Sequence, residues 1–307
     1  ISAGDAVTHF VDGFRFALLG GSTIHVTAAT DVQLLAWNLA GTASSLAVND
    51  FTVTVDGGSV INVTGSANTA CVLCFIAPSA QLVASVILNN VNVTISGGSA
   101  VSLNASTEAQ FVSVYAKGAA TAGAPAIQLT NVTVDITSGS TIDARAVVFV
   151  RVVAARTTAV QGRAVAAMIN VCWTIHGNGT RANASAASAE VMSISVAGST
   201  NGVSLSCHDL HVTISGGAKV NATATSNFVR VASVSLPNSR ADVALINVSF
   251  SLRQRSELRF WAPLGVITAL GVLNDPAATA VNLTVRAFEA TVDASDLLGT
   301  LFVTGCV

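Results

Sequence analysis

Val91-Asn-Val-Thr-Ile-Ser-Gly-Gly-Ser99 is a run of alternating apolar and polar residues that ends in two glycines and a small hydroxyl residue. The chain repeats it, for example as Phe51-Thr-Val-Thr-Val-Asp-Gly-Gly-Ser59 and Leu210-His-Val-Thr-Ile-Ser-Gly-Gly-Ala218. Aligned on their last residue, the copies give eight anchors: Ser22, Ser59, Ser99, Ser140, Thr180, Ala218, Ser256 and Ser295. The anchors stand 37 to 41 residues apart, with a mean of 39, and the copies at Ser256 and Ser295 have lost the glycines. A fixed period of this length marks a repeat architecture, in which each unit buries its apolar face against the next.

Within a unit the alternation is that of a strand with one buried face, as in Val132, Val134 and Ile136 against Thr133, Asp135 and Thr137. Three strands per unit are predicted. One precedes the glycines, one follows some ten residues later (Phe111 to Tyr115, Val147 to Val153, Phe228 to Val234), and one leads into the next unit (Ala126 to Leu129, Val243 to Ile246). About nine residues ahead of the anchors stand Asp12, Asp50, Asn90, Asn131, Asn170, Asp209 and Asn247. Asn and Asp tolerate left-handed backbone, so they suit a sharp corner, and stacked coil on coil they would form a polar ladder.

These features predict an all-β fold, a right-handed parallel β-helix (β-solenoid) of about eight coils of about 39 residues, with residues 1–307 as a single repeat domain. The handedness follows from the general chirality of parallel crossovers. The alternative is a β-propeller of four-stranded blades, against which stands an aromatic content of only 5%.

Of the 307 residues, 51% are apolar and 10% charged, where roughly a quarter is usual in globular domains. The apolar stretches from Phe260 to Leu273 and from Cys71 to Leu88 are too short or too interrupted for a membrane span of about 20 residues. Residues Ile1 to Asp5 lack the pattern of a leader peptide, so the sequence reads as a mature chain or a fragment. A net charge of -2 and two distant lysines, Lys117 and Lys219, argue against a nucleic-acid partner. Arginines gather at Arg145, Arg151, Arg156 and Arg163, and again at Arg253, Arg255 and Arg259. They read as solvated strand positions, the alternative being a patch for an acidic glycan or lipid headgroup.

The N-glycosylation pattern Asn-x-Ser/Thr occurs at Asn62, Asn92, Asn104, Asn131, Asn178, Asn183, Asn221, Asn247 and Asn282. Asn62, Asn183 and Asn221 each lie three residues after an anchor and Asn104 lies five after its own, which on a solenoid makes a stripe of sugar. Glycans would then supply the solubility that charge does not. Asn131 and Asn247 belong to both the acceptor set and the corner ladder, and only an outward-facing residue can carry a glycan.

Five cysteines leave an odd one if the others pair. Cys172 and Cys207, about one coil apart, are one candidate pair, and Cys71 with Cys74 forms a Cys-x-x-Cys spacing that reads as a local bridge or buried thiols. A redox or zinc role for the latter lacks a second pair or a histidine cluster, so no metal is expected. Cys306 is a candidate for a bond to another chain. For catalysis the nearest constellation is Asp135 and Asp143, which bracket one turn, with Arg145 nearby, and it reads as a corner Asp and a solvated Arg. His9, His25, His176, His208 and His211 are dispersed. The sequence predicts no enzyme and no cofactor.

Both ends suit a joint. Phe302, Val303 and Val307 at one end and Val7, Phe10 and Val11 at the other would nearly continue the period if one copy stacked on the next. Exposed strand edges template such pairing, so end-to-end self-association is expected.

The units Asn90-Val-Asn-Val-Thr-Ile-Ser-Gly-Gly-Ser99 and Asn131-Val-Thr-Val-Asp-Ile-Thr-Ser-Gly-Ser140, in an Ala/Val/Ser-rich setting, resemble the large surface proteins of kinetoplastid protozoa, namely the dispersed gene family of trypanosomes and related bodonid proteins. The resemblance implies a β-helical glycoprotein, extracellular or on the cell surface, that coats or adheres. Three functional readings follow in order: a structural glycoprotein forming a head-to-tail filament or surface coat, an adhesin for a glycan or protein ligand, and a polysaccharide lyase or hydrolase.

Overall fold

The computed structural model describes residues 6–39, 43–78, 84–118, 124–160, 162–198, 202–226, 228–236, 240–261, 266–274 and 280–292. Its strands follow one another in coils. The first coil holds β1 (Ala6–Asp12), β2 (Arg15–Leu18), β3 (Thr23–Ala28) and β4 (Val32–Asn38). The second holds β5 (Ala43–Val55), β6 (Val60–Gly65) and β7 (Thr69–Pro78), and the third β8 (Ala84–Ile95), β9 (Ala100–Ala105) and β10 (Glu108–Gly118). Then come β11 (Ala126–Ile136), β12 (Thr141–Arg145) and β13 (Phe149–Ala159), followed by β14 (Ala164–His176), β15 (Arg181–Ala186) and β16 (Ser188–Ala197). The last are β17 (Val203–Ser215), β18 (Lys219–Ala224), β19 (Phe228–Leu236), β20 (Arg240–Leu252), β21 (Glu257–Trp261), β22 (Val266–Asn274) and β23 (Ala280–Val292).

Equivalent strands stack into three sheets. Sheet A runs β1-β5-β8-β11-β14-β17-β20-β23 with β2 also on β5, sheet B joins β3 to β21, and sheet C joins β4 to β22. Seven coils each contribute to all three sheets, and β23 opens an eighth. All the pairings are parallel, as between β8 and β11 or β13 and β16, which makes the molecule a β-solenoid. A propeller is excluded, because its blades are built from antiparallel strands.

Sheet A strands are long because each contains the corner. Asp50, Asn90, Asn131, Asn170, Asp209 and Asn247 have φ of 50 to 57°, and at each of them two successive side chains face outward. The chain therefore turns convexly without leaving the sheet. Two of the three strands predicted from the sequence are the halves of this bent strand, as with Ala126 to Leu129 and Val132 to Ile136 in β11. The strand that was not predicted is that of sheet B, directly after the glycines. Asp12 is corrected too: it pairs with Asn49 in the ladder, and Gly13, at φ 65°, takes the corner.

The glycine turn explains the anchor. Ser59 Oγ donates to the Asp56 carbonyl at 2.7 Å, and Thr180 Oγ1 donates to the His176 carbonyl at 2.8 Å, so a buried hydroxyl closes the turn from inside. Coils stack tightly here. A Cβ on Gly97 would collide with Asp56 and lie 2.6 Å from the Gly57 nitrogen. Where the glycines are lost, Gln254 and Arg255 still adopt φ of 57° and 56°, at a cost of about 1–2 kcal/mol each for residues with a Cβ.

The inward side chains form one cluster from Leu18 to Phe250. Its early coils are aromatic, with Phe14, Trp37, Phe51 and Phe75 in contact at centroid distances of 4.7 to 5.4 Å. In later coils sheet B turns small residues inward, such as Ala182, Ala184, Ala222 and Ala224.

Candidate functional site

Sheet C bends in the opposite sense to sheet A. At Val72, Phe111, Val152 and Val191 the ladder register skips one residue, and the next side chain, Leu73, Val112, Val153 or Met192, also faces the core. Two successive inward residues fold the outer face in on itself. The result is a groove that runs along the solenoid axis, crossing one strand per coil.

Register places its lining in rows. The near wall is Gln33, Cys71, Gln110, Arg151, Glu190 and Arg230. The floor is Ala36, Cys74, Ser113, Ala154 and Ser193, and the far wall is Asn38, Ile76, Tyr115, Arg156 and Ser195. Small floor residues between longer wall residues leave a cleft of about 410 Å³ over the first four coils. It continues as about 210 Å³ toward Arg230, sharing Arg151, Ala154 and Arg156.

The near wall carries a chain of alternating charge. Arg151 donates from Nη1 to Glu108 and from Nε to Glu190, each at 3.2 Å, and Arg230 Nη1 donates to the other Glu190 oxygen at 3.1 Å. Gln110 Nε2 donates to Glu108 at 2.5 Å. Arg151 and Glu190 are only 8% and 6% exposed although they lie outside the core, because the fold of the sheet shelters them. On the far wall the Arg156 guanidinium lies 5.5 Å from the centre of the Tyr115 ring.

Arg151, which the sequence alone presents as solvated, is thus sheltered. The signal against the solvated reading is that Glu108, Arg151, Glu190 and Arg230 recur at 39 to 43 residues with alternating sign. Variable lengths between the anchor and sheet C blur that phase.

The cysteines divide. Cys71 and Cys74 form a disulfide, possible at a separation of three because both flank the bend and point to the same outer side. Cys172 and Cys207 are free thiols, which corrects the pairing of the two. Cys172 lies opposite His211 and Cys207 opposite Met168, so the two are four positions out of register, on either side of the corner. Cys172 is half-buried and Cys207 buried, and burial pushes the Cys207 thiol up to about 12. Cys306 lies outside the described residues, as do Phe302, Val303 and Val307.

Asp135 and Asp143 do not converge. Asp135 is on β11 in sheet A, beside Thr174 and His176, with its carboxyl raised above the ordinary value mainly by burial. Asp143 is on β12 in sheet B, where it holds Arg145 at 2.8 Å. The histidines serve locally: His176 Nδ1 meets Ser215 Oγ at 2.9 Å, His211 Nδ1 meets Ser249 Oγ at 2.7 Å, and His25 stands against Asn62 at 3.3 Å. Among the described residues no three His, Cys, Asp or Glu side chains gather for a metal, and no helix is long and apolar enough to cross a membrane.

The corner side chains hydrogen-bond from coil to coil on the outside. Asn90 Nδ2 donates to Asp50, Asn131 to Asn90 and Asn170 to Asn131, each at 2.9 Å, and Asn247 donates to Asp209 at 2.5 Å. Asn131 and Asn247 are both exposed. The acceptor asparagines fall on two sheets. Asn62, Asn104, Asn183 and Asn221 lie in sheet B, Asn92, Asn131, Asn247 and Asn282 in sheet A, and Asn178 in the turn between β14 and β15. Asn183 and Asn221 are direct neighbours, with Asn221 Nδ2 donating to Asn183 at 2.8 Å.

In comparisons with protein-family models, curated proteins and solved structures, nothing matches the chain.

Proposed function

We propose that the protein is an extracellular adhesive glycoprotein, in which sheets A and B carry sugar and sheet C makes the contact. One observation carries this reading: none of the nine acceptor asparagines lies on a described strand of sheet C, although that sheet supplies a strand to each of the seven full coils. N-linked glycans are bulky and hydrated, so they shield the faces that bear them and solubilise a chain of few charges. The face without them is the one a partner can approach. It is also the concave one, and ligand sites are concave with a few placed polar groups.

The test uses protein secreted from eukaryotic cells and coated on beads, which are then applied to mammalian cell monolayers. Ser193→Asn creates Asn-Ile-Ser on the groove floor, and Ser193→Gln is its control without an acceptor. Bead binding should be lost in the first variant only, once mass spectrometry shows the new glycan. Undiminished binding with that glycan in place would sink the assignment of sheet C.

A further inference from the structure

We propose that the groove of sheet C binds a linear polysaccharide bearing carboxylates, and that Arg156, braced by Tyr115, takes a carboxylate. The inference rests on the adhesive reading and names the ligand class for the same face.

Shape comes first. The cleft is long and shallow, and each coil advances it by about 4.8 Å, presenting a fresh pair of wall side chains at a step comparable with one sugar residue. An extended, repeating, polar ligand matches that periodicity. An extended peptide would instead add to a strand edge through its backbone and seat alternate side chains in pockets. This groove crosses the faces of the strands and not an edge, and its floor is lined by the small residues Ala36, Ser113, Ala154 and Ser193. A nucleic-acid strand would need a run of cations, and the near wall places Glu108 and Glu190 in its path.

Charge selects among polysaccharides. Of the four clustered arginines, Arg145 is held by Asp143 at 2.8 Å and Arg163 by Asp242 at 2.7 Å. Arg151 is neutralised between Glu108 and Glu190 at 3.2 Å. Arg156 makes no ion pair among the described residues, borders both stretches of the groove, and has its guanidinium against the Tyr115 ring. A planar guanidinium steadied by an aromatic face presents its remaining N–H groups as a fork, which suits a carboxylate.

The experiment is calorimetric titration of the full glycosylated chain with hexasaccharides of galacturonate and of hyaluronate, each as the free acid and as the methyl ester. At least one free acid should bind, with its ester at least about tenfold weaker, the scale of a hydrogen bond to a charged group. Arg156→Gln should level the two, and Ala154→Trp, which fills the floor, should abolish both while the circular dichroism spectrum stays that of the parent. Equal binding of acid and ester, discrimination that survives Arg156→Gln, or no binding of any of the four would overturn the proposal. If none binds and the Ser193→Asn glycan still blocks bead adhesion, the polysaccharide falls and the adhesive face stands.

Discussion

Glu190 on β16 accepts a hydrogen bond at 3.2 Å from Arg151 on β13, one coil earlier, and both side chains are buried on the outer side of their sheet. A buried ion pair adds little to stability compared with well-packed apolar residues, yet losing one partner strands the other. Arg151→Met should therefore lower stability by about 3–5 kcal/mol, because Glu108 loses its arginine and Glu190 keeps only Arg230. Arg145→Met, which breaks an exposed pair, should cost less than about 1 kcal/mol. Urea denaturation of the two variants side by side reads the difference, and similar costs would mean that the wall chain is not sheltered.

The corner ladder is broken once, and chemistry says where. Each rung donates its amide to the oxygen below, and Asp209 has no amide to give to Asn170. Asp209→Asn should join the two segments and raise the thermal midpoint slightly, the added hydrogen bond contributing on the order of 0.5–1.5 kcal/mol of stability. Asn131→Ala should lower the midpoint more than Asn131→Gly. Both lose the ladder bonds, but only alanine strains against the φ of 53°.

Asp135 supplies a pH test. Its carboxyl is raised, chiefly by burial and against the opposing pull of Thr174 and His176, so the folded state binds its proton more tightly than the unfolded chain. The stability it contributes is full below the ordinary value of 3.8 and is lost as pH rises through the folded value. Asp135→Asn, which keeps an oxygen for Thr174, should raise the melting temperature at pH 7 and give no gain at pH 3. A gain that grew on acidification would reverse the sign.

The free thiols should differ in reactivity. With its pKa at about 12 and no exposure, Cys207 should resist iodoacetamide at pH 8 until the chain unfolds, whereas half-buried Cys172 should be alkylated in the native protein. Peptide mass spectrometry after timed labelling distinguishes them. Equal labelling rates would show that β17 opens readily.

The repeat was legible because its chemistry is local. Positive φ favours glycine, asparagine and aspartate, so Gly97, Gly98, Asn90 and Asn131 print the turn and the corner into the sequence at fixed spacing. Sheet B was harder to read. Its inward positions in β15 are Ala182, Ala184 and Ala186, and alanine carries little strand signal even where the alternation is intact. The groove was harder still, since a concave bend needs no special backbone and its mark is two apolar residues in a row, such as Phe111 and Val112. Glu108 and Arg151 are 43 residues apart in sequence and meet only through the stacking.

The unequal filling of the core gives the solenoid a direction. Coil-to-coil hydrogen bonds run along the long axis, so tension applied between the ends would open one coil at a time, like a zipper. The interlocked rings of Phe14, Trp37, Phe51 and Phe75 clamp one end, whereas β15 and β18 turn only small side chains inward, among them Ala182, Ala184, Ala222 and Ala224. Under load the molecule would pay out length from its alanine-rich part while the aromatic end held fast, which makes it a shock absorber with one firm grip.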